Sequence, residues 1–142
     1  MPKAEIEDVV NVGLESFFKA ITAYESYPKI VDGFKKISVA RKGPGEARIT
    51  YHFGVLLKTV SYTLDVKEDI ANNSMSWTLV DSDVFSKNEG KWTLKSDGAK
   101  TKVKYELEAE FKIPVPEMII NKLLKSTMPM MIKNFEKFAS KN

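Results

Sequence analysis

Seven aromatic side chains, Tyr51, Phe53, Tyr62, Trp77, Trp92, Tyr105 and Phe111, fall on the apolar parity of alternating apolar–polar runs. That spacing turns all of them to one face of a β-sheet. The chemistry on offer is binding: large apolar walls carrying a few hydroxyl and indole N–H groups. Filling a plain core is the other use of such rings. Three inward tyrosine hydroxyls and two indole N–H groups are, however, expensive to bury without partners.

Groups suited to bond-breaking are few. The chain has no Cys and a single His. Thiol nucleophiles and disulfides are excluded, and a Zn, Fe–S or Cu site of the usual ligand types is not expected. His52 lies on a polar parity and reads as solvated surface. Asp81 and Asp83 read as a turn. Asp8 lies on the apolar parity of its strand, so a bulge or strand end is expected to expose it. Arg41, of inward parity near a strand end, reads as an ion pair at the rim. No GxSxG, HExxH, glycine-rich phosphate loop or GxGxxG is present. No cofactor is expected.

The elements that position these residues follow from periodicity. Residues 4–12 alternate as a first strand. Leu14, Phe17, Phe18, Ile21 and Tyr24 then keep helical spacing. Pro28 ends that helix and opens a second short one near 28–32, which Gly33 stops. From Phe34 to Lys112 six strands alternate in period two, with turns at Gly43-Pro44-Gly45, Asn72-Asn73 and Asp97-Gly98. The last of them, Val103 to Phe111, carries opposite charges on its polar face, suited to cross-strand pairing. One long helix closes the chain, from Pro116 to about Ser140. Its apolar face is expected to comprise Ile120, Leu123, Leu124, Thr127, Met131, Asn134, Phe135 and Phe138, with Lys122, Lys125, Pro129, Lys133 and Glu136 opposite. Pro129 is expected to kink it. One-sided strands and one long helix make an antiparallel sheet bent around that helix.

The chain has 142 residues and a net charge of +3, with 43% hydrophobic residues. That suits one domain, residues 1–142, with a core of its own. The longest apolar run falls far short of the roughly 20 residues that span a bilayer. The mild, Arg-poor charge does not suggest DNA binding. A cytoplasmic monomer or weak dimer is the expectation.

The layout, with Glu25-Ser26-Tyr27-Pro28, Met75-Ser76-Trp77-Thr78-Leu79, Gly90-Lys91-Trp92-Thr93-Leu94, Thr101-Lys102-Val103-Lys104-Tyr105 and Val115-Pro116, resembles the START/polyketide cyclase-like (SRPBCC) superfamily. Within it the chain is most similar to the coenzyme Q-binding and polyketide cyclase/dehydrase bacterial proteins. The resemblance implies an α+β helix-grip fold: a seven-stranded antiparallel curved sheet around a long C-terminal helix, with two short helices after strand one. It also implies a hydrophobic small-molecule partner of the lipid, isoprenoid quinone or polyketide class. The expected void is lined by Tyr51, Phe53, Tyr62, Trp77, Trp92 and Tyr105 on the sheet and Leu124, Thr127, Met131 and Asn134 on the helix. Met118, Met128, Met130 and Met131 would add an adaptable wall. The apolar tip Val55-Leu56-Leu57, with residues 115–119, is the expected gate and a point of transient membrane contact. Two other readings stay open: a polyketide cyclase/dehydrase-type enzyme, and a ribosome- or protein-interacting module of the ribosome-association toxin type.

Overall fold

The computed structural model describes residues 3–55, 58–112, 114 and 116–141. Leu56, Leu57 and Val115 lie outside the described residues, as do the side chains of Val55, Lys58, Ile119, Ile120, Leu123 and Leu124.

Seven strands form one antiparallel sheet in the order β1-β7-β6-β5-β4-β3-β2. They are β1 (Lys3–Val10), β2 (Phe34–Gly43), β3 (Glu46–Val55), β4 (Lys58–Asp69), β5 (Ser74–Ser82), β6 (Phe85–Asp97) and β7 (Lys100–Phe111). Between β1 and β2 stand helix α1 (Leu14–Ile21), a 3-10 turn (Tyr24–Ser26) and the short helix α2 (Tyr27–Ile30). The sheet is curved, and its concave face holds the terminal helical run of α3 (Glu117–Lys122), a π-helical turn (Leu123–Thr127) and α4 (Met128–Ser140). This is the helix-grip fold.

Strand alternation sorts the two faces. Ile49, Leu64, Val66, Leu94 and Val103 point inward and are buried. The outer face is polar and cross-linked. Arg48 holds Asp65 through two hydrogen bonds of 2.8 and 3.0 Å. Lys87 reaches Glu108 at 2.9 Å and Lys104 reaches Glu5 at 3.4 Å, the pairing expected of the last strand. Exposed pairs of this kind add about 0–1 kcal/mol each, so they set register more than stability.

The β5–β6 ladder is short. It runs from Ser74–Thr93 to Trp77–Gly90 and stops, although β6 pairs with β7 along its whole length. At that point Trp77 lies on Gly90: a Cβ there would overlap both the indole and the Glu106 carbonyl oxygen. Only glycine allows this approach.

α4 is the element that fills the grip. It packs on α1, α2 and β1, and it buries Met128, Ile132, Phe135 and Ala139. Phe135 is buried as expected, but the rest of the stripe differs: Thr127, Met131, Asn134 and Phe138 of the expected face are only half-buried flanks, and Met128, Ile132 and Ala139 are buried instead. The π turn is the reason. It takes up one more residue than an α-helical turn, about 100° of rotation, so a uniform wheel loses phase beyond it. Pro129 follows directly, at the first turn of α4, where its missing N–H costs little. The expected kink is thus a π turn before the proline.

Three further expectations are corrected. β1 ends at Val10, two residues early. Asp8 is not set out by a bulge, since the β1–β7 register is unbroken; its half-buried carboxylate accepts the Val9 N–H at 2.8 Å. His52 is half-buried on its outer-face strand and not fully solvated.

Phe135 is 1% exposed, so Phe135→Ala should cost about 3–5 kcal/mol in denaturant titrations. Lys137→Ala, on the exposed side of the same helix, should stay within about 0.5 kcal/mol.

Candidate functional site

Inside the grip the aromatics divide into two groups. The first is a packed joint under α4. Trp92 stacks on Tyr105 with ring centroids 4.2 Å apart and planes 1° from parallel. Phe17 and Phe135 meet Trp92 edge-on at 5.9 and 5.7 Å, and Phe135 also meets Tyr27 at 5.2 Å. The Trp92 indole N–H has no hydrogen bond among the described residues, but the polar atoms around it are partnered. Trp77 Nε1–H donates to Asn88 Oδ1 at 3.0 Å, and the Tyr105 hydroxyl donates to Met131 Sδ at 3.7 Å. The Tyr27 hydroxyl donates to the Ile21 carbonyl, tying α2 to the end of α1.

The second group is a ribbon across the other half of the sheet. Phe53, Phe34, Tyr51, Tyr62, Phe85 and Phe111 follow one another with centroid separations of 5.1, 5.5, 4.9, 5.3 and 5.2 Å. Tyr51 and Tyr62 stack, 19° from parallel. Gly33, at φ +105°, makes room for the Phe53 ring, which would lie 2.5 Å from a Cβ at that position. All but Tyr51 are half-buried.

The Tyr51 and Tyr62 hydroxyls have no hydrogen-bond partner among the described residues, yet no fully enclosed side-chain N or O is left unpaired there. Both hydroxyls therefore front on accessible space. Tyr51 is only 4% exposed, and Tyr62 is half-buried. Of the sequence-predicted lining, then, Tyr51, Phe53 and Tyr62 belong to the ribbon. Trp77, Trp92, Tyr105 and Met131 belong to the packed half. Thr127 and Asn134 are half-buried along the helix. The expected methionine wall divides too: Met128 is buried in the core, while Met118 and Met130 are 80% and 56% exposed. Two hollows of about 590 and 560 Å³ also lie against the outer, charged face, beside Lys95, Lys102 and Lys104 and beside Glu89, Lys91 and Glu106.

A polar cluster closes the rim at the β2–β3 turn. The Tyr24 hydroxyl donates to Glu68 Oε2 at 2.5 Å, and Arg41 reaches the same oxygen at 3.2 Å while lying 5.4 Å over the Tyr24 ring. Arg41 thus forms the rim ion pair expected of it. Glu68 was missed by sequence reasoning, although its parity with Leu64 and Val66 points it inward. Asn88, which fixes Trp77, shares the inward parity of Gly90 and Trp92 and was missed in the same way.

All five tyrosines are pushed above their ordinary pKa of 10.0, chiefly by burial, with Glu68 adding to the effect at Tyr24. They are neutral hydroxyls at physiological pH. A tyrosine held protonated in the fold contributes stability in full below pH 10 and loses it as pH rises further.

Residues 10–136 match the family described as polyketide cyclase/dehydrase and lipid transport, and the chain belongs to that family, within the START/polyketide cyclase superfamily. Among curated proteins none matches the sequence. Three solved structures share the fold. TTHA0849 of Thermus thermophilus superposes with a TM-score of 0.86 at 18% identity, over 99% of this chain and 98% of its own. The Zhui aromatase/cyclase of Streptomyces sp. R1128 gives 0.84 at 12% identity, over 98% and 93%. A START superfamily protein of Mycobacterium smegmatis gives 0.82 at 21% identity, over 98% and 97%. Family and fold fit either the binding of a hydrophobic ligand or chemistry of the polyketide cyclase type. Among the described residues no helix is long and apolar enough to cross a membrane.

Spectrophotometric titration should show no phenolate near pH 10, where a free tyrosine is half ionised. Phenolate should emerge at higher pH together with loss of the melting transition.

Proposed function

We propose that this protein binds or carries a hydrophobic small molecule of the lipid, isoprenoid quinone or polyketide-like class, as a START-like domain over residues 1–142. The ligand lies between the aromatic ribbon and the C-terminal helix. The observation that carries this reading is the stacked Tyr51–Tyr62 pair with two hydroxyls that have no partner among the described residues. Apolar burial supplies most of the affinity, about 25 cal/mol per Å² before ordering costs. The hydroxyls orient the guest by donating to an oxygen on it. Thr127 and Asn134 stand on the facing helix as further polar points, and residues 55–57 remain the proposed gate.

A second reading is cyclisation of a polyketide chain. Glu68 favours it: a carboxylate 11% exposed, bonded to Tyr24, is the kind of inward acid–base group that such chemistry requires. Turnover of a linear poly-β-ketone, lost in Glu68→Gln with the fold retained, would establish that reading over carriage.

Native mass spectrometry of the protein purified from its own host should show a co-purified apolar mass. Nile red should bind saturably, and Tyr51→Phe with Tyr62→Phe should weaken a carbonyl-bearing guest about 2- to 10-fold per hydroxyl. Absence of both a co-purified mass and saturable Nile red binding would overturn carriage.

A further inference from the structure

The net charge of this protein sits on one element. The terminal helical run with its C-cap Lys141, residues 117–141, holds five lysines and two glutamates, a balance of +3. The rest of the chain holds seventeen basic and seventeen acidic side chains, so the run accounts for the whole net charge of +3. Glu136 is half-buried and accepts the Asn11 N–H at 2.6 Å. Glu117 is therefore the one exposed acid of the run. Lys122, Lys125, Lys133, Lys137 and Lys141 are all exposed and form no ion pair among the described residues.

Met118 and Met130 share that solvent face, 80% and 56% exposed. In α4, Met130, Lys133 and Lys137 form one stripe by their spacing, which Lys141 at its C-cap extends. Met118 and Lys122 in α3 do the same with Lys125 of the π turn. On an unbroken α-helix residues 118 and 130 would stand about 120° apart; the extra residue of the π turn brings them within about 20°. The π turn thus merges two short stripes into one long basic face with an apolar side chain in each half.

We propose that this face docks on an anionic lipid bilayer. The lysines meet the headgroups and the two methionines enter the boundary of the acyl chains, while the buried side of α4 stays packed in the core. A basic cluster combined with apolar anchors is the pairing that gives reversible attachment to such a surface. A nucleic-acid partner would use the fork of arginine and would gain nothing from exposed thioethers; the run contains no arginine. The inference is independent of whether the grip holds a ligand, because docking is read without one.

The test is flotation of the full chain with vesicles of phosphatidylcholine alone and of phosphatidylcholine mixed with phosphatidylglycerol. Binding is expected only to the mixed vesicles, and it should fall with added salt. Replacing Lys122, Lys125 and Lys133 together by Gln should lower partitioning about 100-fold, at about fivefold per lysine. Met118→Ser with Met130→Ser should lower it about tenfold while leaving retention on heparin unchanged. Removing the same charge from the sheet, at Lys36, Lys95 and Lys102, should change partitioning by less than about threefold. All these positions are exposed, so melting temperatures should match the wild type. The proposal is overturned if mixed vesicles bind no better than neutral ones. It is overturned equally if the sheet variant loses as much as the helix variant, or if the methionine variant loses heparin retention along with vesicle binding.

Discussion

The fold turns on the contact of Phe135 with Trp92 and Tyr27. Phe135 is the point where the last helix, the central strands and the short helices meet, through edge-to-face contacts of 5.7 and 5.2 Å. Trp92 is backed in turn by Tyr105, stacked beneath it on the next strand. A one-sided sheet cannot bury its apolar face alone, and a helix with one apolar stripe needs a concave surface to receive it. This joint satisfies both at one place. Packed rings fill that half of the grip, and the aromatic ribbon runs across the other half of the sheet.

Much of this was legible in the sequence, for a physical reason. Period-two alternation depends only on which face a strand buries, and every strand here buries one face. Runs such as Val103 to Phe111 therefore declared their orientation and their charge pairing directly. The aromatic parity was legible for the same reason, and Tyr51, Phe53 and Tyr62 fall in one chain of ring contacts. The helix was less transparent. Rotation accumulates along a helix, so a single π turn before Pro129 displaced every residue after it. Ile132 and Met128 are core residues that a uniform wheel leaves off the apolar face. Division of the rings into a packed joint and a ribbon was not legible, since it depends on where the helix lands. Nor was the bonding of Glu68 to Tyr24, two residues forty-four positions apart.

Satisfied polar groups inside the grip also have a division of labour. Asn88 takes the Trp77 indole N–H and the Met131 sulfur takes the Tyr105 hydroxyl, so these rings serve packing while their polar atoms are cared for internally. The Tyr51 and Tyr62 hydroxyls, like the Trp92 indole N–H, have no such partner among the described residues. The same reasoning places Tyr24 with the structural group despite its phenol, because Glu68 and Arg41 occupy it.

The brevity of the β5–β6 ladder has a mechanical consequence. Strands β2 to β5 form one plate and strands β6, β7 and β1 another. Only the four residue pairs from Ser74–Thr93 to Trp77–Gly90 join them by a ladder. Bending therefore concentrates at this seam, because each plate is stiffened by long ladders and the join is not. The Trp77 indole, laid across Gly90 and pinned to Asn88, acts as the hinge pin. Beyond it β5 and β6 are rejoined by the two-residue turn Asp83–Val84, where Ser82 Oγ accepts the Val84 and Phe85 N–H groups, so the unladdered stretch is a slot closed at both ends.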